Sequence, residues 1–302
     1  MLEIKDLVKV YPGPVAALQG VQLEIPKGMF GLLGPNGSGK STMMRILAGL
    51  LEPTSGAILL NGVDITKNPA YVWARLGYLP QDFGFYPNLT GEAVLLHMLR
   101  LKGVEAPKGL KHLAAALMER VNLSAAAKRK VKTYSGGMRQ RLGIAQAIAG
   151  QPELIIVDEP TAGLDPEERI RFYRLLSELA EDRTVLLTTH IVEDVAVLCP
   201  QFAVIRKGNL ITTTSPSKAC TAIEGTIFEG SVGKEELVAL SETGRVTRAY
   251  LFEGQNRIRI HVADDAVPAG FNPVPPTLED AYMLMQKGSE TVSEFEGHEV
   301  AK

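Results

Sequence analysis

The sequence predicts an α/β fold built around a phosphate-binding loop. An antiparallel β subdomain surrounds the start of that core, a helical subdomain is inserted in it, and a small C-terminal α+β appendage follows. Three observations carry this expectation. The stretch Gly34-Pro35-Asn36-Gly37-Ser38-Gly39-Lys40-Ser41-Thr42 matches G-x-x-x-x-G-K-[ST], between the apolar run Met29-Phe30-Gly31-Leu32-Leu33 and a segment of helical spacing over 42–50. Leu154-Ile155-Ile156-Val157-Asp158-Glu159 reads as a buried strand ending in two carboxylates. Thr184-Val185-Leu186-Leu187-Thr188-Thr189-His190 is a second β-branched run, ending in a histidine.

In chain order, residues 2–10 and 21–25 alternate as strands, joined by the turn Tyr11-Pro12-Gly13-Pro14. Tyr11 at the strand end serves either as a base-stacking ring or as an ordinary half-buried aromatic. Within the loop, glycines allow successive N–H groups to converge on a phosphate at a helix N-terminus carrying roughly half a positive charge. Lys40 then reaches the β- and γ-phosphates, and the Ser41 hydroxyl ligates Mg²⁺. The loop therefore implies a nucleoside triphosphate. After it, Glu52-Pro53-Thr54-Ser55-Gly56 is a turn, residues 57–60 a short strand, and Asn61-Gly62 a hairpin signal.

Arg75-Leu76-Gly77-Tyr78-Leu79-Pro80-Gln81-Asp82 reads as a strand running into a polar loop. Helical texture begins with Thr90 as N-cap and Glu92 in the first turn, and residues 83–150 read as a mostly helical insertion. Ser135-Gly136-Gly137 opens a helix. By itself it is either a capped helix start or a second anion site. Asp158 at its strand tip suits Mg²⁺, and Glu159 is placed to orient or deprotonate a water. Two acids at a strand end are often only a solvated turn, but beside a phosphate loop whose cation needs an anionic partner the functional reading is favoured. Asp165 and Pro166 are N-cap and first residue of a helix to about residue 180. The strand ending at His190 is expected to run parallel to that of Asp158, which puts the histidine at the same ligand-binding sheet edge.

The 302 residues, 45% hydrophobic and 22% charged, suffice for a large domain with a small companion. A net charge of −2 shows no basic surplus for a nucleic-acid partner. Cys199 and Cys220 lack metal-ligand spacing and read as buried thiols in a reducing compartment. No signal peptide and no run near 18 apolar residues is seen, so membrane work is expected to go through a partner.

The ordered set of motifs over residues 1 to about 215 resembles the ATP-binding subunit of ABC transporters. That resemblance implies a P-loop NTPase of ABC type, binding ATP and Mg²⁺. Tyr11 would be the adenine-stacking aromatic; Asn36, Gly37, Ser38, Gly39, Lys40, Ser41 and Thr42 belong to the Walker A loop. Gln81 would touch Mg²⁺ and the attacking water, Asp158 would be the Walker B aspartate and Glu159 the catalytic glutamate. Ser135-Gly136-Gly137 would be the signature, Asp165 the end of the D-loop and His190 the switch histidine at the γ-phosphate. Two departures stand out. The family's LSGGQ reads here Tyr134-Ser135-Gly136-Gly137-Met138, and the D-loop reads Ala162-Gly163-Leu164-Asp165. Both variants look like the separate-chain branch serving bacterial drug, antibiotic, lipid or polysaccharide exporters.

The resemblance further implies a head-to-tail dimer, a polytopic permease partner and a place on the cytoplasmic face of the membrane. No nucleic-acid partner is expected. The alternative is a soluble ABC ATPase acting on ribosomes or nucleic acid, disfavoured by the single cassette and the absence of heptads. The stretch Phe83-Gly84-Phe85-Tyr86-Pro87 is either a permease contact or ordinary core.

Residues 212–218 read as a linker to an accessory domain over 216–287. Strands are expected at 226–232, 246–252 and 257–262, with an N-capped helix from Thr277. Regulation, dimer contact and plain stabilisation are all open for this appendage. Residues 288–302 read as a frayed tail.

Overall fold

Met29, Phe30, Leu32 and Leu33 are all buried, yet they serve two different cores. Phe30 and Leu32 face one cluster with Leu154, Ile156 and Leu186; Met29 and Leu33 face another with Ile155, Val157, Val185 and Leu187. Successive residues of a strand point to opposite faces, so a sheet lined this way is covered on both sides.

The computed structural model describes residues 1–13, 15–81, 83–161, 164–263 and 267–288. Pro14, Asp82, Ala162, Gly163 and the tail beyond Gly288, each read from sequence above, lie outside the described residues. The chain begins with β1 (Leu2–Tyr11), β2 (Val15–Ile25), β3 (Gly28–Leu33), α1 (Lys40–Leu47), β4 (Ser55–Leu60), β5 (Val63–Asp64), α2 (Pro69–Trp73) and β6 (Leu76–Leu79). The helical insertion holds α3 (Gly91–Leu101), α4 (Leu110–Arg120) and α5 (Gly136–Ala147). Then follow β7 (Leu154–Asp158), α6 (Pro166–Ala180), β8 (Thr184–Thr189), α7 (Val192–Leu198), β9 (Gln201–Arg206), β10 (Asn209–Thr214) and α8 (Pro216–Thr221). The last elements are β11 (Ile227–Val232), α9 (Lys234–Glu242), β12 (Val246–Phe252), β13 (Gln255–His261), β14 (Asn272–Pro273) and α10 (Leu278–Lys287).

Among the described residues the central sheet has the order β10-β9-β3-β8-β7-β6, and all neighbours from β9 to β6 are parallel. The loops after β3, β8, β7 and β6 therefore open side by side at one sheet edge. A smaller antiparallel sheet, β2-β1-β4-β5, closes over α1 and shares its core. β2 is longer than the expected 21–25. Register shifts between Leu7 and Val8 and between Lys9 and Val10 leave Gly20 and Ala17 as extra residues on β2 and break the alternation that would have announced it.

The 212–218 stretch is not a linker. It finishes β10 and starts α8, whose N-cap Ser215 accepts from Lys218 N at 3.2 Å with Pro216 next in line. A serine before a proline is helix-start punctuation as much as loop punctuation. The antiparallel sheet β12-β13-β11-β14 has its own small core of Val232, Ile258, Ile260, Val262 and Phe271. α10, by contrast, buries Ala281, Leu284 and Met285 in the large cluster with Val195, Leu198 and Phe202.

Candidate active site

The loop after β3 is held in shape by buried contacts. Gly39 has φ 112, and a Cβ there would meet Ala17 O at 2.6 Å, so backbone and space both require glycine. Ser38 O accepts from Gly208 N at 2.9 Å, which braces the loop against the β9–β10 turn. Lys40, the first residue of α1, is buried and donates to Gly34 O at 2.6 Å and Pro35 O at 3.3 Å. Burial pulls its ammonium below the ordinary lysine range, against the opposing pull of Glu159 and Asp158. Asn36 and Gly37 form the exposed outer turn, and Ser41 lies exposed beside Lys40 on the first turn of α1.

Two strands away, β7 ends at Asp158, which the parallel register sets opposite Thr188 of β8. The Thr188 hydroxyl donates to Asp158 Oδ1, a contact no local pattern announces because it depends on that register. Glu159 follows with φ 50, a left-handed backbone that is uncommon for glutamate. Its N–H donates to Thr188 O at 2.9 Å. Its carboxylate is buried, with Oε1 3.7 Å from Lys40 Nζ and Oε2 2.6 Å from His190 Nδ1. The histidine's approach lies off a good hydrogen-bond line, and Oε2 remains a buried acceptor without a directed donor. His190 itself is half exposed at the end of β8.

The structure thus brings Lys40, Asp158, Glu159 and His190 into one cluster and sets exposed Gln81 just past β6 on the same edge. Tyr11 reaches it from the antiparallel sheet: its hydroxyl lies 3.4 Å from Thr42 Oγ1, and Lys9 Nζ stands 5.4 Å from its ring centre. Ser135, Gly136, Gly137 and Asp165 are elsewhere. Among the described residues, no hydrogen bond or ion pair joins them to the 34–42 loop. Ser135 caps α5, accepting from Met138 N at 3.1 Å, and Asp165 caps α6, accepting from Glu168 N at 2.8 Å. Glu168 latches the two helices through Arg141 at 3.0 Å. Phe83 and Phe85 pack edge to face, 5.4 Å apart, against the core, while Tyr86 beside them is exposed.

These residues suit a triphosphate and its cation. Ser38 Oγ is buried without a hydrogen-bond partner beside a buried ammonium at a helix N-terminus, and Glu159 Oε2 has only the ion-pair contact with His190. The oxygens of Ser41, Gln81 and Asp158 are the hard donors Mg²⁺ takes. Among the described residues no three His, Cys, Asp or Glu side chains converge in an arrangement that could hold a metal ion by themselves. A divalent ion here would therefore lean on phosphate oxygens, as Mg²⁺ does. A strand, a glycine loop, a helix-borne lysine and, two strands away in the same parallel sheet, a strand ending in carboxylates define a P-loop nucleoside triphosphatase.

Comparison with known proteins narrows that class. The family described as "ABC transporter" matches residues 18–162. A linearmycin resistance ATP-binding protein of Bacillus subtilis is 34% identical over 269 residues, covering 87% of this chain and 86% of its own. A Nod factor export ATP-binding protein of Paraburkholderia xenovorans is 36% identical, covering 82% and 84%. Among solved structures, the dimeric structure of a bacterial ABC transporter cassette superposes with TM-score 0.65 at 27% identity, covering 71% of this chain and 98% of that one. The same coverage and a TM-score of 0.64 hold for a dimeric cassette in a post-hydrolysis state bound to ADP and Pi. The chain belongs to the ATP-binding proteins of ABC transporters. It is an ATPase.

Proposed function

We propose that this chain drives export of a substrate through a separate membrane permease by closing head to tail on a second copy of itself around ATP. The observation that carries the reading is the split of the motif residues into two groups. Lys40, Asp158, Glu159 and His190 cluster, whereas Ser135-Gly136-Gly137 is presented at a helix N-terminus apart from them. A phosphate-binding helix start left unused by its own chain fits the site of another copy. A two-fold pair then has two identical composite sites.

In that site Tyr11 stacks on the adenine, and Asn36 to Thr42 with Lys40 hold the phosphates. Ser135, Gly136 and Gly137, with Asp165, cover them from the partner. Ser41, Gln81 and Asp158 would hold Mg²⁺, which when bound neutralises charge on the transferred phosphoryl oxygens. Glu159 takes a proton from the attacking water as its oxygen bonds to the γ-phosphorus. The bond to the bridging oxygen breaks and ADP departs with that electron pair. His190 holds the γ-phosphate side, and Gln81 orients the water. Closure excludes stray water, and opening follows loss of phosphate.

Export is supported by the relatives, which carry resistance and export names. Among the described residues no helix is long and apolar enough to cross a membrane. In this reading the chain sits on the cytoplasmic face, held by the permease, with no nucleic-acid partner. Residues 216–287 act as an accessory unit on the 1–215 cassette. The test uses Glu159→Gln protein with ATP and Mg²⁺. The variant should lose at least about a hundredfold in hydrolysis, elute as a dimer only with ATP, and capture a polytopic protein from gently solubilised membranes. Hydrolysis at the parental rate would remove Glu159 as the base. Recovery with ribosomes or nucleic acid instead of a membrane protein would overturn the transport reading.

A further inference from the structure

Behind Glu159 and His190 lies a carboxylate that the mechanism above leaves without a role. Asp194, in the first turn of α7, is fully buried, and five donor atoms converge on it. Oδ1 accepts from Tyr173 Oη at 2.5 Å and from Arg169 Nη2 and Nε at 2.6 and 3.1 Å. Oδ2 accepts from Thr161 Oγ1 at 2.5 Å and Thr189 Oγ1 at 3.3 Å. The two threonines sit where they matter: Thr161 lies just past Glu159, and Thr189 immediately precedes His190. The Thr189 hydroxyl also accepts from Ile191 N at 2.9 Å, so the backbone on both sides of His190 is tied to Asp194.

We propose that Asp194 is a positioning residue for ATP hydrolysis, setting the separation of Glu159 and His190 by clamping Thr161 on one strand-end loop and Thr189 on the other. The proposal rests on the roles given to Glu159 and His190 above. Three physical arguments support it. Glu159 holds a left-handed backbone, a conformation that persists only where the surroundings over-determine it, and Thr161 is a side-chain anchor just downstream. Hydrogen bonds to an ionised acceptor are shorter and stronger than neutral ones, so a carboxylate holds two hydroxyls more firmly than an amide would. Arg169 balances the buried charge from α6, whose cap is Asp165, so the clamp closes without an unpaired ion. Displacement of a reacting group by about 1 Å is enough to cost about a hundredfold in rate.

The experiment measures kcat and KM for ATP hydrolysis by the purified full-length chain, with a melting curve for each variant. Thr161→Val and Thr189→Val keep the side-chain shape, remove one clamp hydroxyl each, and leave the Arg169–Asp194 pair intact. Each should lower kcat about tenfold, inside that geometric bound, with KM for ATP within about twofold. Thr161→Ser and Thr189→Ser restore the hydroxyl and should restore kcat. Asp194→Asn should lower kcat at least as far as either valine variant. Parental kcat in the valine variants, or serine variants as impaired as the valines, would overturn the proposal. So would kcat and melting temperature falling together in valine and serine variants alike. Glu159→Gln run alongside separates the two readings. Full activity there removes the base assignment and the clamp with it, whereas an inactive Glu159→Gln beside fully active valine variants removes the clamp alone.

Discussion

Glu159 at φ 50 occupies a backbone region that costs roughly 1–3 kcal/mol for a residue with a side chain. Its position can be explained atom by atom: the N–H is engaged by Thr188 O, and the carboxylate lies between Lys40 and His190. Crowding of the same kind governs Gly137. A Cβ there would stand 2.3 Å from Glu168 Oε2, and Glu168 cannot swing away freely because Arg141 holds it at 3.0 Å. Gly137→Ala should therefore loosen α5 from α6 and lower stability by about 1–3 kcal/mol, the usual cost of overpacking. Thermal melting checks this, and adding Glu168→Ala should recover part of the loss. An unchanged melting temperature in the single variant would refute the packing argument. At this scale the positions of the motif residues were legible, since Lys40 closes the glycine loop and Asp158, Glu159 and His190 stand at or just past a strand end. Thr188 and Asp194 were not, because their partners are set by strand register and by a helix packing behind the sheet.

Helix starts were the most legible elements. Thr90, Ser135, Asp165 and Thr277 each accept the N3 amide expected of an N-cap, from Ala93, Met138, Glu168 and Asp280 at 3.2, 3.1, 2.8 and 3.3 Å. The cap at α10 does more than start a helix. Asp280 closes a capping box with Thr277, accepts from Thr247, and pairs with buried Arg259 at 2.9 Å, which bolts α10 to the appendage sheet. Burial alone would raise the Asp280 pKa, but the hydrogen bonds from Thr247, Thr277 and Arg259 hold it below the usual aspartate range. Such a depressed carboxylate contributes its full stability above the unfolded pKa of about 3.9. That contribution is lost as pH falls through the lower folded value. Asp280→Asn should thus melt earlier than the parent at neutral pH, with the gap narrowing as pH drops below about 4. A gap that stays constant across that range would contradict the assignment. Among the elements that escaped reading in whole or in part were β2, whose alternation is broken by bulges, α8, whose Ser-Pro start resembles a loop, and α2, α7 and β9, to which no expectation was attached.

For the whole molecule, the parallel order β3-β8-β7-β6 matters most, because it lines up four loops that are far apart in the chain. The second large-scale feature is the return of α10 to the main core. Met285 is fully buried in the cluster that also holds Val195 and Leu198 of α7, the helix directly after His190. Met285→Ala should cost about 2–5 kcal/mol, the range for a large core side chain reduced to alanine. Denaturant melts of the full chain test this. A loss below about 0.5 kcal/mol, the size of an ordinary surface change, would show that α10 does not belong to the cassette's core. Of the two free cysteines, Cys199 is buried among the same residues, and burial pushes its thiol far up, whereas Cys220 on α8 is only partly buried and departs from the buried thiol expected.

The sequence by itself determined the phosphate loop, the helix caps, the strands ending in Asp158 and His190, and through them the nucleotide chemistry. Each of these is written in a handful of consecutive residues, where glycine freedom, a capping oxygen or a β-branched run acts locally. Only the tertiary structure decided that Thr188 faces Asp158, that Asp194 reaches Thr161 and Thr189, and that α10 joins the large core. Those contacts arise from parallel register and helix docking between distant segments, which no local pattern of residue types specifies.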